Sequence, residues 1–223
     1  MFSPMKKDNV EVVENLMLHE WEGIDNLLDG MDCFILASGG TVRDYDLTLL
    51  KDKFVIAINH SAIRYPECDA LMFSDAEYWR MRKDFILGYE GMIFCGKKAE
   101  WWNDNRSNVC IFEYNNITPQ LKIADGVFYS GLTGIAAVNL AIIMGAGRIF
   151  MLGYDLNVDA DVKQIEESNP EGARKYYNDK KWTDVRIKKF AAFMPWADKI
   201  YNCSPISSLT FFQYIDYEEA VKL

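Results

Sequence analysis

The sequence predicts an α/β fold, in which a single domain carries a mostly parallel sheet with helices on both faces. Two observations predict this class. Short and continuously apolar runs recur along the 223-residue chain, and such runs are typical of strands buried on both faces of a parallel sheet. Helical segments fit between several of these runs, as the crossover connections of parallel strands require.

Residues 1–30 are predicted to form an N-terminal helical extension before one α/β domain of residues 31–223. Apolar residues at steps of three and four predict an amphipathic helix over 9–29, with Gly30 as its C-cap. We expect the apolar stripe to pack on the domain. Because the stripe is nearly a heptad seam, a homo-oligomer contact through this helix is the alternative.

The predicted domain alternates strands with helices along the chain. Its apolar runs predict strands at 32–37, 54–58, 70–73, 92–95, 109–112, 148–152 and 199–203. Its helical patterns predict helices at 76–87, 131–145, 182–194 and 216–221. The helix at 131–145 is apolar nearly all round and should be buried. The polar residues 156–180 are predicted to form a lid.

Composition and charge narrow the classes of function. Half of the residues are apolar and 14% are aromatic, so the chain can bury a large core. The formal net charge is -9, and an acidic chain gains little from neutralising phosphates, so we expect no general nucleic-acid binding. Two histidines leave little room for histidine-based metal or acid–base chemistry.

Cysteine usage and hydropathy predict a cytoplasmic protein. Five cysteines occur, and four of them sit inside apolar runs, as buried free thiols of a reducing compartment do. The chain contains no C-x-x-C motif, which argues against a zinc cage. No run of about 18 apolar residues occurs, which predicts no membrane span. Residues 1–7 are not followed by the apolar core of a signal peptide.

Glycine, small polar and acidic residues follow the predicted strands directly. In an open parallel sheet, ligands bind beyond the carboxyl ends of the strands, so these residues are candidates for one shared pocket. They are Ser38–Thr41, Asn59–His60, Ser74–Asp75, Gly153–Asp155 and Asn202–Ser204. Glycine lets backbone N–H groups approach a phosphate, and Asn and Asp can hold ribose hydroxyls. The pattern predicts a nucleotide-type pocket.

A metal site in this region stays open. Residues 155–166 nearly copy the ligand spacing of a calcium loop. The acids at the matching positions are Asp155, Asp159, Asp161 and Glu166. However, Ala160 stands where such a loop turns on glycine, so a solvated acidic loop is the favoured interpretation. We assign no metal ligands, and binding of Mg²⁺ or Ca²⁺ remains an alternative.

Four blocks in chain order carry a resemblance to a known family. They are Phe34–Val42, Val55–Asn59 with Asp75–Trp79, Ser130–Asp155, and Asn202–Phe211. Together they resemble phage and bacterial proteins related to the archaeal 6-hydroxymethylpterin diphosphokinase-like group. The architecture is also similar to that of bacterial sialyltransferases that use CMP-sialic acid. The resemblance implies a single Rossmann-like domain that binds a nucleotide.

By position, the resemblance implies which residues hold the nucleotide. They are Ser38, Gly39, Gly40, Thr41, Asn59, Ser130, Gly131 and Tyr154. Gly40 and Thr41 stand where relatives carry Pro-Ser. Because Thr41 keeps a hydroxyl, it keeps the means to contact a phosphate.

The chain departs from the sialyltransferases at the catalytic base. Those enzymes carry a histidine in the polar segment before the late helix, whereas residues 174–182 contain none. Candidates for holding the leaving phosphate there are Arg174, Tyr176 and Tyr177, because guanidinium and hydroxyl groups suit that role. Candidates for the base are Asp75, Asp155 and His60.

Three functions follow, in order of preference. The first is a glycosyltransferase-like transferase that uses a nucleotide-activated sugar donor. The second is an ATP-dependent pyrophosphokinase on a pterin-like substrate, with Mg²⁺ held by Asp75 and Asp155. The third is a non-catalytic, nucleotide-binding phage accessory protein, since a fold does not dictate a function. All three need a small-molecule nucleotide ligand.

Overall fold

The described residues form a sheet of nine strands, and neighbouring strands are parallel throughout. The computed structural model describes residues 23–96, 108–115, 118–121, 127–129, 132–157 and 180–223. Within them the strands are β1 (Asp32–Leu36), β2 (Phe54–Ile58), β3 (Ala70–Phe73), β4 (Met92–Gly96), β5 (Val109–Asn115), β6 (Val127–Tyr129), β7 (Arg148–Leu152), β8 (Ile200–Asn202) and β9 (Gln213–Tyr214).

The order of the strands contains one switch point. It runs β6-β5-β4-β3-β2-β1-β7-β8-β9, so the chain adds β2 to β6 on one side of β1 and β7 to β9 on the other. Ile35 of β1 is in register with Ile56 of β2 and with Met151 of β7. Doubly wound sheets bind ligands beyond the carboxyl ends of the strands at such a point. Here it lies between β1 and β7.

Helices cover both faces of the sheet, as predicted. They are α1 (Ser61–Arg64), α2 (Ala76–Gly88), α3 (Thr133–Ile143), α4 (Lys180–Phe190) and α5 (Tyr217–Ala220). Successive side chains of β1 point to opposite faces. Cys33 and Ile35 therefore pack in one core with α3, while Phe34 and Leu36 pack in the other core with residues of α2 and α5.

Helix α3 is buried nearly all round, as its apolar sequence predicts. Every residue except Gly134 is buried, including one polar amide, Asn139. Its Oδ1 accepts hydrogen bonds from the backbone N–H groups of Tyr129 at 2.8 Å and Gln120 at 3.1 Å. Its Nδ2 donates to the Gln120 carbonyl at 2.8 Å. Both polar atoms of the amide therefore have partners, and these bonds fasten β6 and the preceding segment to the helix.

The predicted N-terminal helix is wrong at its C-terminal end. Residues 23–30 form turns, and Asn26 has a φ of 63°. The Leu28 N–H donates to the Met144 carbonyl at 2.6 Å, at the end of α3, and so makes no helical bond. Leu28 is nevertheless fully buried, as the apolar stripe predicted. Residues 1–22, which carry most of the predicted helix and its oligomer contact, lie outside the described residues.

The other described elements follow the prediction, with two strands and the short helix α1 added. β6 and β9 have three and two residues, too few to show a pattern in the sequence. The helix predicted over 182–194 begins at Lys180 and ends at Phe190. A 3-10 helix, Ala191–Trp196, continues from it and contains Pro195, which has no N–H for an α-helical bond.

All five cysteines are free and buried, as predicted for the four that lie in apolar runs. Among the described residues, no helix is both long and apolar enough to cross a membrane.

Candidate functional site

A cavity of about 230 Å³ opens at the switch point of the sheet. Its walls come from the turns after β1, β2, β3 and β7, from the first turn of α3, and from α4. The lining includes Ser38, Gly39, Asn59, Ser74, Asp75, Thr133, Gly134, Gly153, Tyr154, Asp155, Asn157, Thr183, Arg186 and Phe190. Segments that are distant in sequence therefore meet where a parallel sheet places its ligand.

The structure brings several predicted site residues together. Those in the cavity wall are Ser38, Gly39, Asn59, Asp75, Tyr154 and Asp155. Gly40, Thr41 and His60 are described but do not line the cavity. Ser130, Gly131, Arg174, Tyr176 and Tyr177 lie outside the described residues, as do Asp159, Asp161 and Glu166.

Asp155 is a buried carboxylate that binds other groups of the protein. Its Oδ1 accepts from the hydroxyls of Thr41 and Ser204, both at 2.6 Å, and its Oδ2 accepts from the Thr41 N–H at 3.1 Å. These bonds join the turn after β1, the end of β7 and the loop after β8. The Thr41 hydroxyl, a predicted phosphate ligand, thus donates to Asp155 in this geometry.

Two glycines allow the turns after β1 and β7 to cross in contact. The Gly39 N–H donates to the Gly153 carbonyl at 3.0 Å. A Cβ on Gly39 would meet that carbonyl and would lie 2.7 Å from the Cγ atom of Asp155. Gly153 has a φ of 71°, which favours glycine. The packing of the two turns therefore explains these glycines without a bound phosphate.

Asn59 leaves its side chain available to a ligand. Its φ is 51°, a conformation that Asn tolerates better than most residues. Its backbone is fixed, because its N–H donates to the Met72 carbonyl at 3.0 Å and its carbonyl accepts from the Tyr78 hydroxyl at 2.7 Å. The Oδ1 atom is buried and has no hydrogen-bond partner among the described residues. A hydrogen-bond donor from a ligand or from water would satisfy this oxygen.

His60 is a weak candidate for the base in this geometry. Its ring contacts Tyr78 edge-on, with centroids 4.9 Å apart. Burial, followed by the positive charge of Arg82, lowers the pKa of His60 to about 4. The imidazole is therefore neutral at pH 7 and is a poor proton acceptor, because efficient bases have a pKa near the working pH.

Asp75 is the exposed carboxylate of the cavity wall. It stands at the N-cap position of α2, but its side chain accepts no capping hydrogen bond. The neighbouring Ser74 and Thr133 hydroxyls are 2.7 Å apart and hydrogen-bonded, which ties the end of β3 to the start of α3. Of the three predicted bases, Asp75 is the one that a substrate can reach most directly.

Helix α4 supplies site residues that sequence reasoning missed. Thr183, Arg186 and Phe190 follow each other at steps of three and four and share one face, which lines the cavity. The Phe190 ring packs edge-on against Tyr154, with centroids 5.7 Å apart, and the Tyr154 hydroxyl donates to the Gly134 carbonyl at 2.8 Å. The spacing was visible in the sequence, but it does not tell a ligand-facing side from a core-facing one.

The described residues contain no group of three or more His, Cys, Asp or Glu side chains placed to hold a metal ion. Comparisons with protein families, with curated proteins and with solved structures found no match to this chain. The candidate site is therefore defined by its own geometry.

Proposed function

We propose that this protein is a glycosyltransferase-like transferase that binds the nucleotide of an activated sugar donor in the cavity at the switch point. One observation carries the proposal. The cavity has buried polar atoms without partners among the described residues, Asn59 Oδ1 and Thr183 Oγ1, on walls contributed by β2 and α4. Buried polar groups are normally paired, so a polar ligand or ordered water is expected to pair with each of them.

The size of the cavity favours a single nucleotide unit. Sites for small molecules are commonly about 300–1,000 Å³, and about 230 Å³ lies just below that range. The aromatic contact of Tyr154 with Phe190 gives the cavity an apolar side, while Asn59 offers an acceptor to a ribose hydroxyl or a base edge.

Asp75 is the proposed general base. In sugar transfer, the bond between the anomeric carbon and the phosphate oxygen breaks, and the nucleotide leaves with the electron pair. The acceptor hydroxyl forms the new bond to that carbon and gives its proton to the Asp75 carboxylate. Asp155 is engaged by Thr41 and Ser204, and His60 is a poor base, so the reaction depends on Asp75.

Thermal shift with CMP, UDP, GDP and ATP, each with and without Mg²⁺, tests ligand binding. A ligand at 100 times its Kd adds about 2.7 kcal/mol to the free energy of unfolding, so a true ligand raises Tm clearly. The transferase predicts a shift with a pyrimidine nucleotide that needs no metal. A shift with ATP that requires Mg²⁺ would instead favour the pyrophosphokinase, and no shift with any nucleotide would contradict the proposal.

Turnover separates a transferase from a non-catalytic binder. Wild type is expected to hydrolyse or transfer the matching sugar nucleotide, and Asp75→Asn is expected to lose this activity while still binding the nucleotide. Binding without turnover in wild type would favour the accessory protein.

Substitution of Asn59 tests the cavity itself. Asn59→Gly removes the amide and keeps a backbone that accepts a φ of 51°. We expect nucleotide affinity to fall about tenfold, the effect of one lost hydrogen bond of about 1.4 kcal/mol. Asn26→Gly is the matched control, because Asn26 has a φ of 63° and does not line the cavity. Equal affinities in the two variants would contradict the assignment.

A further inference from the structure

The glycine turn after β1, residues 38–41, is poorly suited to a phosphate. The Gly39 N–H is bonded to Gly153, and the Thr41 N–H and hydroxyl are bonded to Asp155. The Asp155 carboxylate also lies against the turn, since a Cβ on Gly39 would approach its Cγ atom to 2.7 Å. A negative charge beside the turn disfavours an anion there.

The opposite wall carries a buried hydroxyl without a partner. Thr183 is only 4% exposed and lines the cavity. Its Oγ1 atom has no hydrogen-bond partner among the described residues. A hydroxyl on a helix commonly bonds a carbonyl three or four residues back, and the Thr183 hydroxyl makes no such bond to Lys180. It is therefore available to donate to a ligand.

Helix α4, which forms this wall, is rich in basic residues. Helix α4 carries five basic residues and one acidic residue, whereas the whole chain has a net charge of -9. Arg186 brings one of these charges into the cavity wall and is half-buried. A partly desolvated guanidinium binds phosphate more strongly than an exposed ammonium does, because it is weakly hydrated and offers a planar set of donors.

The first turn of α3 meets the same cavity. Thr133 and Gly134 line it, and no side chain caps the N-terminus of this eleven-residue helix at Leu132. The free N–H groups and the dipole of a helix N-terminus favour an anion. Both helices thus offer donors and positive potential to one cavity.

We propose that the phosphate of the ligand lies between α4 and the first turn of α3, held by Thr183 and Arg186, and not at the glycine turn. This inference rests on the proposed function for the identity of the ligand as a nucleotide. It places the phosphate of the donor on a wall that sequence reasoning left without a role.

Three variants and paired ligands test the placement. Thr183→Val keeps the shape of the side chain and removes the hydroxyl; Arg186→Gln removes the charge. Lys188→Gln is the matched control, because Lys188 is an exposed basic residue of the same helix outside the cavity wall. Calorimetric titrations use CMP with cytidine, UDP with uridine, GDP with guanosine, ATP with adenosine, and inorganic pyrophosphate alone.

We expect wild type to bind a nucleotide at least tenfold more tightly than its nucleoside. Thr183→Val is expected to weaken nucleotide binding about tenfold and Arg186→Gln 10- to 100-fold, as loss of a charge-assisted hydrogen bond does, with nucleoside binding unchanged. Arg186→Lys should restore part of the loss. Lys188→Gln should bind like wild type, which excludes a general effect of charge.

The outcomes separate this placement from the proposed function. Nucleotide binding that is unchanged in both Thr183→Val and Arg186→Gln overturns the placement and leaves the nucleotide site standing. Pyrophosphate binding that depends on both residues, without any nucleotide binding, supports the placement and contradicts the proposed function. Absence of binding to every probe overturns both.

Discussion

Two walls of the same cavity differ in whether their buried polar groups are hydrogen-bonded. On the β1–β7 side, Asp155 is bonded to Thr41 and Ser204, and the network closes on itself. On the side of β2 and α4, Asn59 Oδ1 and Thr183 Oγ1 are buried without partners among the described residues. A closed network stabilises a fold, whereas unpaired groups at a cavity indicate where a ligand binds.

The largest expected effect is the loss of the closed network. Asp155→Ala leaves the Thr41 N–H and the hydroxyls of Thr41 and Ser204 without their acceptor. The free energy of unfolding is expected to fall by roughly 3–5 kcal/mol, since each unpaired buried donor costs about 1–3 kcal/mol and water relieves part of this. Urea denaturation measures it.

Asp75→Ala is the control for that measurement, because Asp75 is an exposed acid of the same cavity. Its free energy of unfolding should lie within about 0.5 kcal/mol of wild type. A similar small change in Asp155→Ala would show that the carboxylate is dispensable to the fold, and the contrast between the two walls would lose its basis.

The fold was largely predictable because its signals are local. Apolar runs mark the central strands. Because ligands bind at the carboxyl ends of parallel strands, the sequence alone predicts that Asn59, Asp75 and Asp155 lie at one site. What the sequence hides is pairing over long range. The hydrogen bond from the Thr41 hydroxyl to Asp155 joins residues 114 positions apart, and the local sequence around each residue does not predict it.

The predictions that were wrong or incomplete also failed because they depend on long-range contacts. Residues 23–30 carry a helical pattern, yet the Leu28 N–H bonds to the Met144 carbonyl at the end of α3, so a tertiary contact overrides the local preference. Thr183 and Arg186 stand at helical spacing, but the pattern alone assigns them to solvent or core as readily as to a ligand. Only the meeting of α4 with the switch point gives them a role.

Two partly buried ionisable groups, Asp69 and His60, make the stability of the fold depend on pH. Burial raises the pKa of Asp69 from 3.8 to about 7, although its carboxylate accepts from the Val55 N–H at 2.7 Å. Between these values the unfolded chain releases the proton and the folded protein keeps it, so Asp69 makes stability fall as pH rises. The pKa of His60 is lowered from 6.5 to about 4, so His60 makes stability rise over that window.

The two contributions should nearly cancel in wild type between pH 4 and 6.5, and single variants should expose them. Relative to wild type, Asp69→Asn is expected to add a slope of about +1 kcal/mol per pH unit to the free energy of unfolding, and His60→Gln about -1 kcal/mol per pH unit. Urea denaturation across this range measures both slopes. Parallel profiles for the variants and wild type would show that neither group titrates as its burial requires.

The smallest expected effect concerns stability at Thr183, and it is the sharpest test of the contrast. Thr183→Val removes a hydroxyl that has no partner, so the free energy of unfolding without ligand should stay within about 0.5 kcal/mol of wild type or rise. Thr133→Val is the matched control on the other helix of the cavity, because the Thr133 hydroxyl is bonded to Ser74 at 2.7 Å. Loss of the Thr133 hydroxyl leaves the buried Ser74 hydroxyl without its partner and should lower the free energy of unfolding by about 1 kcal/mol. If Thr183→Val were the more damaging of the two, its hydroxyl would serve the fold, and the α4 wall would no longer differ from the wall held by Asp155.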